Sequence, residues 1–145
     1  WLDQVSLSQL GLGWYALAKA ISHWLIAGLP LLIMTPVMAA MLNIPFSQLP
    51  VLMTAMLIGS MALTLLGIIG AALAEGARRG GALMALLVLP LSVPILIFGA
   101  LASANDDGII SPHLMLLGAV FAVLLALAPL VAASALETGE TETGY

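Results

Sequence analysis

The sequence predicts an all-α, polytopic integral membrane protein, a bundle of four transmembrane helices. Three observations predict it. The chain is 63% hydrophobic and 7% charged, against roughly 25% charged in an average soluble domain. Four uninterrupted apolar runs, Trp24–Leu42, Leu49–Ala74, Gly81–Ala102 and Leu114–Leu136, are each 19 residues or longer. A helix rises about 1.5 Å per residue and the hydrocarbon core is about 30 Å thick, so roughly 20 apolar residues cross it. Finally, the three Lys/Arg and seven Asp/Glu all fall outside these runs. A charge at mid-bilayer costs at least several kcal/mol, so runs of this length mean membrane rather than soluble core.

The first run follows a polar, aromatic-bearing segment. Residues 1–15 read as an incomplete cytoplasmic coupling segment, 16–136 as the transmembrane domain and 137–145 as a disordered cytoplasmic tail. The chain begins at Trp1, with no methionine or signal-peptide pattern, so the natural protein is expected to extend further at its N-terminus. Lys19 lies just before the first run, and Trp14 and Trp24 suit an interfacial aromatic belt. Pro30 and Pro36 interrupt this run; each removes an amide donor and frees the carbonyl four residues earlier. The run ends at Asn43-Ile44-Pro45, a stop signal because Pro45 disfavours helical geometry at Ile44.

The second run carries Gly59, Ser60, Thr64, Gly67, Gly70, Ala71 and Ala74 at spacings of three and four. Such small residues let helix backbones approach closely in lipid. The loop Glu75–Gly80 holds Arg78 and Arg79. The third run contains Pro90 and Pro94, four apart on one face. In both proline-bearing runs the kinks read either as a hinge or wet site, or as static bends buffered by packing. Asn105-Asp106-Asp107-Gly108 is a turn, and His113 next to Pro112 caps the fourth helix, touches an external partner or has a plain loop role. Basic residues mark the cytoplasmic side. Lys19 and Arg78–Arg79 therefore place both ends of the chain inside, with the Asn43–Gln48 and Ser103–Pro112 loops outside.

Composition excludes several functions. There are no cysteines, hence no disulfide, thiolate metal site or thiol redox chemistry within the chain. The net charge of −4 argues against nucleic-acid binding. The connectors leave no room for a soluble catalytic domain. The glycines of Gly76–Gly81 lack the phosphate-loop pattern. His23 reads as a proton site, an axial haem ligand or an interfacial histidine bonded to a neighbouring helix. Asp106 and Asp107 are adjacent carboxylates without a third ligand nearby, and Glu75 beside Arg78 and Arg79 suits a surface salt bridge.

Four stretches in register are more specific. They are Leu2-Asp3-Gln4-Val5; Ala18 to Trp24 running into Gly28-Leu29-Pro30-Leu31-Leu32; Gly76-Ala77-Arg78-Arg79-Gly80-Gly81; and Leu89-Pro90-Leu91-Ser92-Val93-Pro94-Ile95-Leu96-Ile97-Phe98. Their order and spacing resemble the haem exporter protein B family (CcmB) from about Leu2 to Leu136. The resemblance implies a membrane permease subunit of an ABC transporter in the bacterial inner membrane. Six helices are expected in the family, of which this chain would lack the first two. An acidic, glycine-containing run ahead of the Leu2–Val5 match is absent here.

The resemblance further implies an ATPase partner (CcmA-like) that binds the ATP, and a haem-handling membrane protein (CcmC-like). It also implies a small membrane subunit (CcmD-like) and a haem chaperone (CcmE-like). A dimer is expected in the complex, with haem as handled cargo rather than a resident cofactor, and no catalysis in this chain. On this reading Leu2, Asp3, Gln4 and Val5 contact the ATPase. Leu2 and Val5 could present one apolar edge of a short helix to a groove, the alternative being a segment lying on lipid. Arg78 and Arg79 are either a second contact or simple orientation signals. Two other functions remain open: a non-transporting scaffold, since no ionisable residue lies within the runs, and a membrane enzyme using His23 or the Asp pair.

Overall fold

The computed structural model describes residues 9–75, 80–104 and 110–142. They form four helices: α1 (Gln9–Met41), α2 (Leu49–Glu75), α3 (Gly80–Ala104) and α4 (Pro112–Glu142), with a single 3-10 turn at Phe46–Gln48 before α2. No strand occurs among the described residues. All four helices are long and apolar enough to cross a membrane, over Leu17–Met41, Phe46–Ala74, Ala85–Ala104 and Pro112–Val131. The expected architecture is therefore what the chain adopts, and the reason is backbone chemistry. In hydrocarbon each amide and carbonyl must be paired within its own segment, which a helix achieves.

The ends of the helices follow local rules. Asn43 sits at φ 56, the left-handed region that Asn tolerates better than most residues. Around it the Ile44 amide donates to the Ala39 carbonyl at 2.9 Å and the Asn43 amide to the Ala40 carbonyl at 3.2 Å. This is a Schellman closure of α1, and Pro45 then keeps the helix from resuming. Helix α2 starts tightly behind it, with Pro50 in the first turn, where a missing amide costs nothing.

Helix α4 is capped by Ser111, which is fully buried; its Oγ accepts the Leu114 amide at 3.2 Å. Pro112 then occupies the first helical position, which its fixed φ suits. Ser111, not His113, is thus the cap, and His113 is already the second residue of the helix. Pro129 lies inside α4, so prolines interrupt three helices rather than the two expected.

Three helices are longer than their spans, α3 by Gly80–Met84 and α1 and α4 by more. At 33 and 31 residues, α1 and α4 reach about 50 Å and about 46 Å. At the N-terminal end of α1, Gln9–Ala16 precede the span, and at the C-terminal end of α4 the helix continues past Val131 to Glu142. The segment after Leu136, expected to be disordered, is helical through Glu142. Propagating an existing helix adds one hydrogen bond per residue fixed, and the helix continues through Gly139 despite that residue's low helix propensity.

Helix α2 is central and packs against the other three. Helix α4 also touches all of them, with α1 and α3 flanking this pair. The core is made by Ala55, Ala62, Leu65, Leu66 and Ile69 of α2, Ile95 and Ala102 of α3, and Leu114, Leu117, Leu124 and Ala128 of α4. The α4 positions alternate by threes, fours and sevens, the seam of a left-handed helix pair. On α1 the buried stripe is narrow: Ala20, Trp24, Gly28, Thr35 and Ala39. Around it, residues such as Ile21, Ile26, Ile33, Met34 and Met38 are exposed. Lipid tails are as apolar as leucine, so shape rather than hydrophobicity decides which face packs.

The small-residue stripe of α2 contributes less than its spacing suggests. A Cβ added at Gly59 or Gly67 would meet nothing within 4 Å. The close approaches are made instead at Ala55 and Ala62, 4% and 0% exposed, with Gly70 also buried.

Candidate functional site

The N-terminal end of α1, the α2–α3 connection and the C-terminal end of α4 lie at one end of the bundle, because successive long helices joined by short connections must run antiparallel. This is the end carrying Lys19 and the Arg78–Arg79 connection. Leu2, Asp3, Gln4 and Val5, together with Arg78 and Arg79, lie outside the described residues, as do Asp106 and Asp107. Their flanks are described. Gln9 is the first residue of α1, and Glu75 ends α2 and Gly80 begins α3 on either side of the arginine pair. Helix α1 is unbroken from Gln9 through the span.

Apart from Lys19, His23 and the Trp24 indole in the first span, and Gln48 and His113 at the starts of the second and fourth, the polar side chains within the spans are hydroxyls, several of them bonded to their own helix. Thr35 Oγ1 donates to the Leu31 carbonyl at 2.9 Å, Thr54 Oγ1 to Pro50 at 2.7 Å, Thr64 Oγ1 to Ser60 at 2.9 Å and Ser92 Oγ to Leu89 at 2.8 Å. Ser and Thr turned back onto their own helix satisfy themselves without a partner helix. No buried side-chain nitrogen or oxygen among the described residues lacks a hydrogen-bond partner.

One pair crosses between helices. The Trp24 indole N–H on α1 donates to Ser60 Oγ on α2 at 2.9 Å, and Ser60 Oγ in turn donates to the Leu57 carbonyl at 3.1 Å. Trp24 is only 8% exposed. Its ring lies over Gly28: a Cβ built there would come 2.6 Å from Trp24 Cδ1 and 2.9 Å from Cε2. Gly28 is therefore a seat for the indole, and this glycine is required by space rather than by backbone angle. Ser60 is at the middle of the Phe46–Ala74 span, and Trp24 lies seven residues inside the Leu17–Met41 span, about 10 Å along it.

Trp24 is thus an internal clamp and not part of an interfacial belt; its one donor finds a partner on the neighbouring helix instead of water. Trp14, three residues ahead of the span and 69% exposed, keeps a position suited to an interface. Interhelical hydrogen bonds in bilayers contribute about 0.6 to 2 kcal/mol. Sequence reading singled out Trp24, Gly28 and Ser60 separately and missed their convergence. The available signal was an i, i+4 Trp–Gly pair on a helix facing another that carries a mid-span serine.

His23 is exposed, next to Trp24 but outside the buried stripe of α1. Among the described residues no three His, Asp or Glu side chains converge as a metal site would require. Pro30 is exposed and Pro36 half-buried; Pro90 and Pro94 show the same pairing on α3. Both helices pass through their prolines without a break.

Comparison with known proteins follows this geometry. A family model described as CcmB protein matches residues 1–139. Curated relatives named "Heme exporter protein B" align along nearly the whole chain. The Pseudomonas aeruginosa protein is 44% identical over 138 residues, covering 94% of this chain and 62% of its own length. The Bradyrhizobium diazoefficiens protein is 45% identical over 145 aligned positions, covering 95% and 64%. The Paracoccus denitrificans protein is 44% identical over 137 residues, covering 93% and 63%. The chain therefore spans somewhat under two thirds of the length of these relatives. With four membrane-length helices and a family match running from the first residue to the last helix, this chain belongs to the CcmB protein family.

Proposed function

We propose that this chain is part of a permease subunit of an ABC transporter complex in cytochrome c maturation. In this reading it couples ATP hydrolysis by a CcmA-like partner to haem delivery, or to release of a haem-loaded CcmE-like chaperone, alongside CcmC-like and CcmD-like membrane subunits. The subunit works as a dimer in the bacterial inner membrane, with both ends of this chain cytoplasmic. The observation that carries the reading is the continuity of α1. The segment just after Leu2–Val5 is already helical at Gln9 and stays so to Met41, giving a docked partner a mechanical path into the bilayer. Leu2, Asp3, Gln4 and Val5 form the principal contact and Arg78 and Arg79 the second. Nucleotide-driven closure of the partner shifts the permease only in so far as its two states contact this end differently. Pro30 and Pro36 in α1, and Pro90 and Pro94 in α3, are where the helices flex, each lacking one backbone hydrogen bond.

The test is co-purification of the full-length protein with its ATPase, comparing wild type with Leu2→Asp plus Val5→Asp. Loss of the ATPase from an otherwise intact membrane protein supports the docking segment. Unchanged recovery moves the contact to Arg78–Arg79. If wild type itself recovers no ATPase, the permease reading fails.

A second reading, a non-transporting scaffold of the maturation complex, is favoured by one observation. The span hydroxyls bond within the bundle, and no charged side chain lines the described interior. Pores for charged substrates ordinarily present such groups. The two readings separate on whether ATP hydrolysis by the assembled complex responds to changes at Asp3 and Val5.

A further inference from the structure

We propose that Trp24 and Ser60 form a latch that makes the N-terminal half of α1 and helix α2 one moving body, with the flex point of α1 displaced to Pro30. Three observations meet here. The first is the hydrogen bond itself, 2.9 Å from indole nitrogen to hydroxyl, joining α1 to the middle of α2. Thr35, Thr54, Thr64 and Ser92 bond to their own helices, whereas this pair ties two helices together. The second is its seat. The rigid indole fills the space above Gly28 on its own helix, which fixes the ring against α1, so α1 cannot slide along α2 without separating Trp24 from Ser60. The third is position. Gln9 to Trp24 is continuous helix ahead of the latch, and Pro30 follows it by six residues.

Proline at 30 leaves the Ile26 carbonyl without its intrahelical donor. Bending α1 there breaks no further backbone bond, whereas separating α1 from α2 below it must break the Trp24–Ser60 bond. A force applied at the N-terminal end of α1 is therefore carried sideways into α2 rather than along α1 to its far end. Helix α2 packs against every other helix, so it distributes the displacement through the bundle. What supplies the force rests on the functional reading above; the latch does not.

The test uses the full-length protein in lipid nanodiscs, with any cysteine elsewhere removed. This chain has none of its own, so a spin-label pair can be placed by Tyr15→Cys and Leu73→Cys, both exposed positions near the same end of the bundle. The distance distribution between the labels is measured by pulsed electron resonance. Wild type gives one narrow distribution. Ser60→Ala raises the separated population about threefold to thirtyfold, the shift expected for losing one interhelical hydrogen bond. Ser60→Thr, which keeps the hydroxyl, restores the narrow distribution.

A Ser60→Ala distribution equal to wild type overturns the latch. So does a Ser60→Thr protein as broad as the alanine variant, since packing and not the hydroxyl would then be responsible. In parallel, Ser60→Ala is expected to recover as much ATPase subunit as wild type while its stimulated hydrolysis falls in proportion to the latched population lost. Loss of the ATPase itself from Ser60→Ala would make the pair an assembly contact and overturn the proposal. Absence of ATPase from wild type refutes the functional reading only, because the label distances still decide the latch.

Discussion

Gly28→Ala is the sharpest perturbation the structure offers, because a single methyl group separates two opposed expectations. From sequence alone it should stabilise, since alanine exceeds glycine in helix propensity by about 1 kcal/mol. From the structure it should destabilise. The new Cβ would lie 2.6 Å from Trp24 Cδ1 and 2.9 Å from Cε2, about an ångström inside ordinary van der Waals contact. The indole is rigid, so the ring must move as a whole by about that much. A shift of this size stretches the 2.9 Å bond to Ser60 beyond hydrogen-bonding range.

The losses are about 0.6–2 kcal/mol for the interhelical bond and about 1–3 kcal/mol for overpacking. Offset by the propensity gain of about 1 kcal/mol, the net is a destabilisation of about 0.6–4 kcal/mol. The assay is thermal inactivation of the detergent-solubilised protein followed by monodispersity, with Trp emission as a second readout. Emission should shift to longer wavelength as the indole leaves its buried site. Adding Ser60→Ala to Gly28→Ala should then cost little more, because the bond is already broken. A Gly28→Ala protein as stable as wild type, with unchanged emission and full additivity with Ser60→Ala, would refute the seat.

Other consequences are as direct. Ser111→Ala removes the buried cap of α4 and should lower stability by about 0.5–2 kcal/mol, measured in the same thermal assay. Asn43→Gly should be neutral and Asn43→Val clearly destabilising, since the residue sits at φ 56 and a β-branched side chain is strained there; expression yield and monodispersity report the contrast. On α2, Gly67→Ala should be tolerated because the space around it is open, whereas Ala62→Leu, at a fully buried position, should cost about 1–3 kcal/mol by overpacking. His23→Ala should leave thermal stability within about 0.5 kcal/mol of wild type, as for other exposed substitutions. A large loss would show that a partner or ligand engages this histidine.

Much of the molecule was legible in the chain. The number of spans and their approximate ends follow from two local quantities, the cost of a charge in hydrocarbon and the thickness of the bilayer. Neither depends on what a helix packs against. The stop at Asn43-Ile44-Pro45 was equally local, and the structure adds only its mechanism, the Schellman bonds at Ala39 and Ala40. Resemblance across four motifs pointed to the family, and the matches over residues 1–139 agree.

What could not be read was which side of each helix faces another helix. In a soluble protein that side is the apolar one, and its period is visible. In a bilayer lipid and neighbouring helices are equally apolar, so the exposed Ile21, Ile26 and Met34 look no different in sequence from the buried Leu66 and Leu117. For this reason Trp24 resembled a belt residue until α2 was placed beside it, and the glycines at 59 and 67 resembled contact points that Ala55 and Ala62 provide. Local chemistry along the chain determined that this protein crosses the membrane and where. Only tertiary packing decided which side chains hold it together, because in lipid that choice rests on shape and on a few hydrogen bonds between helices far apart in sequence.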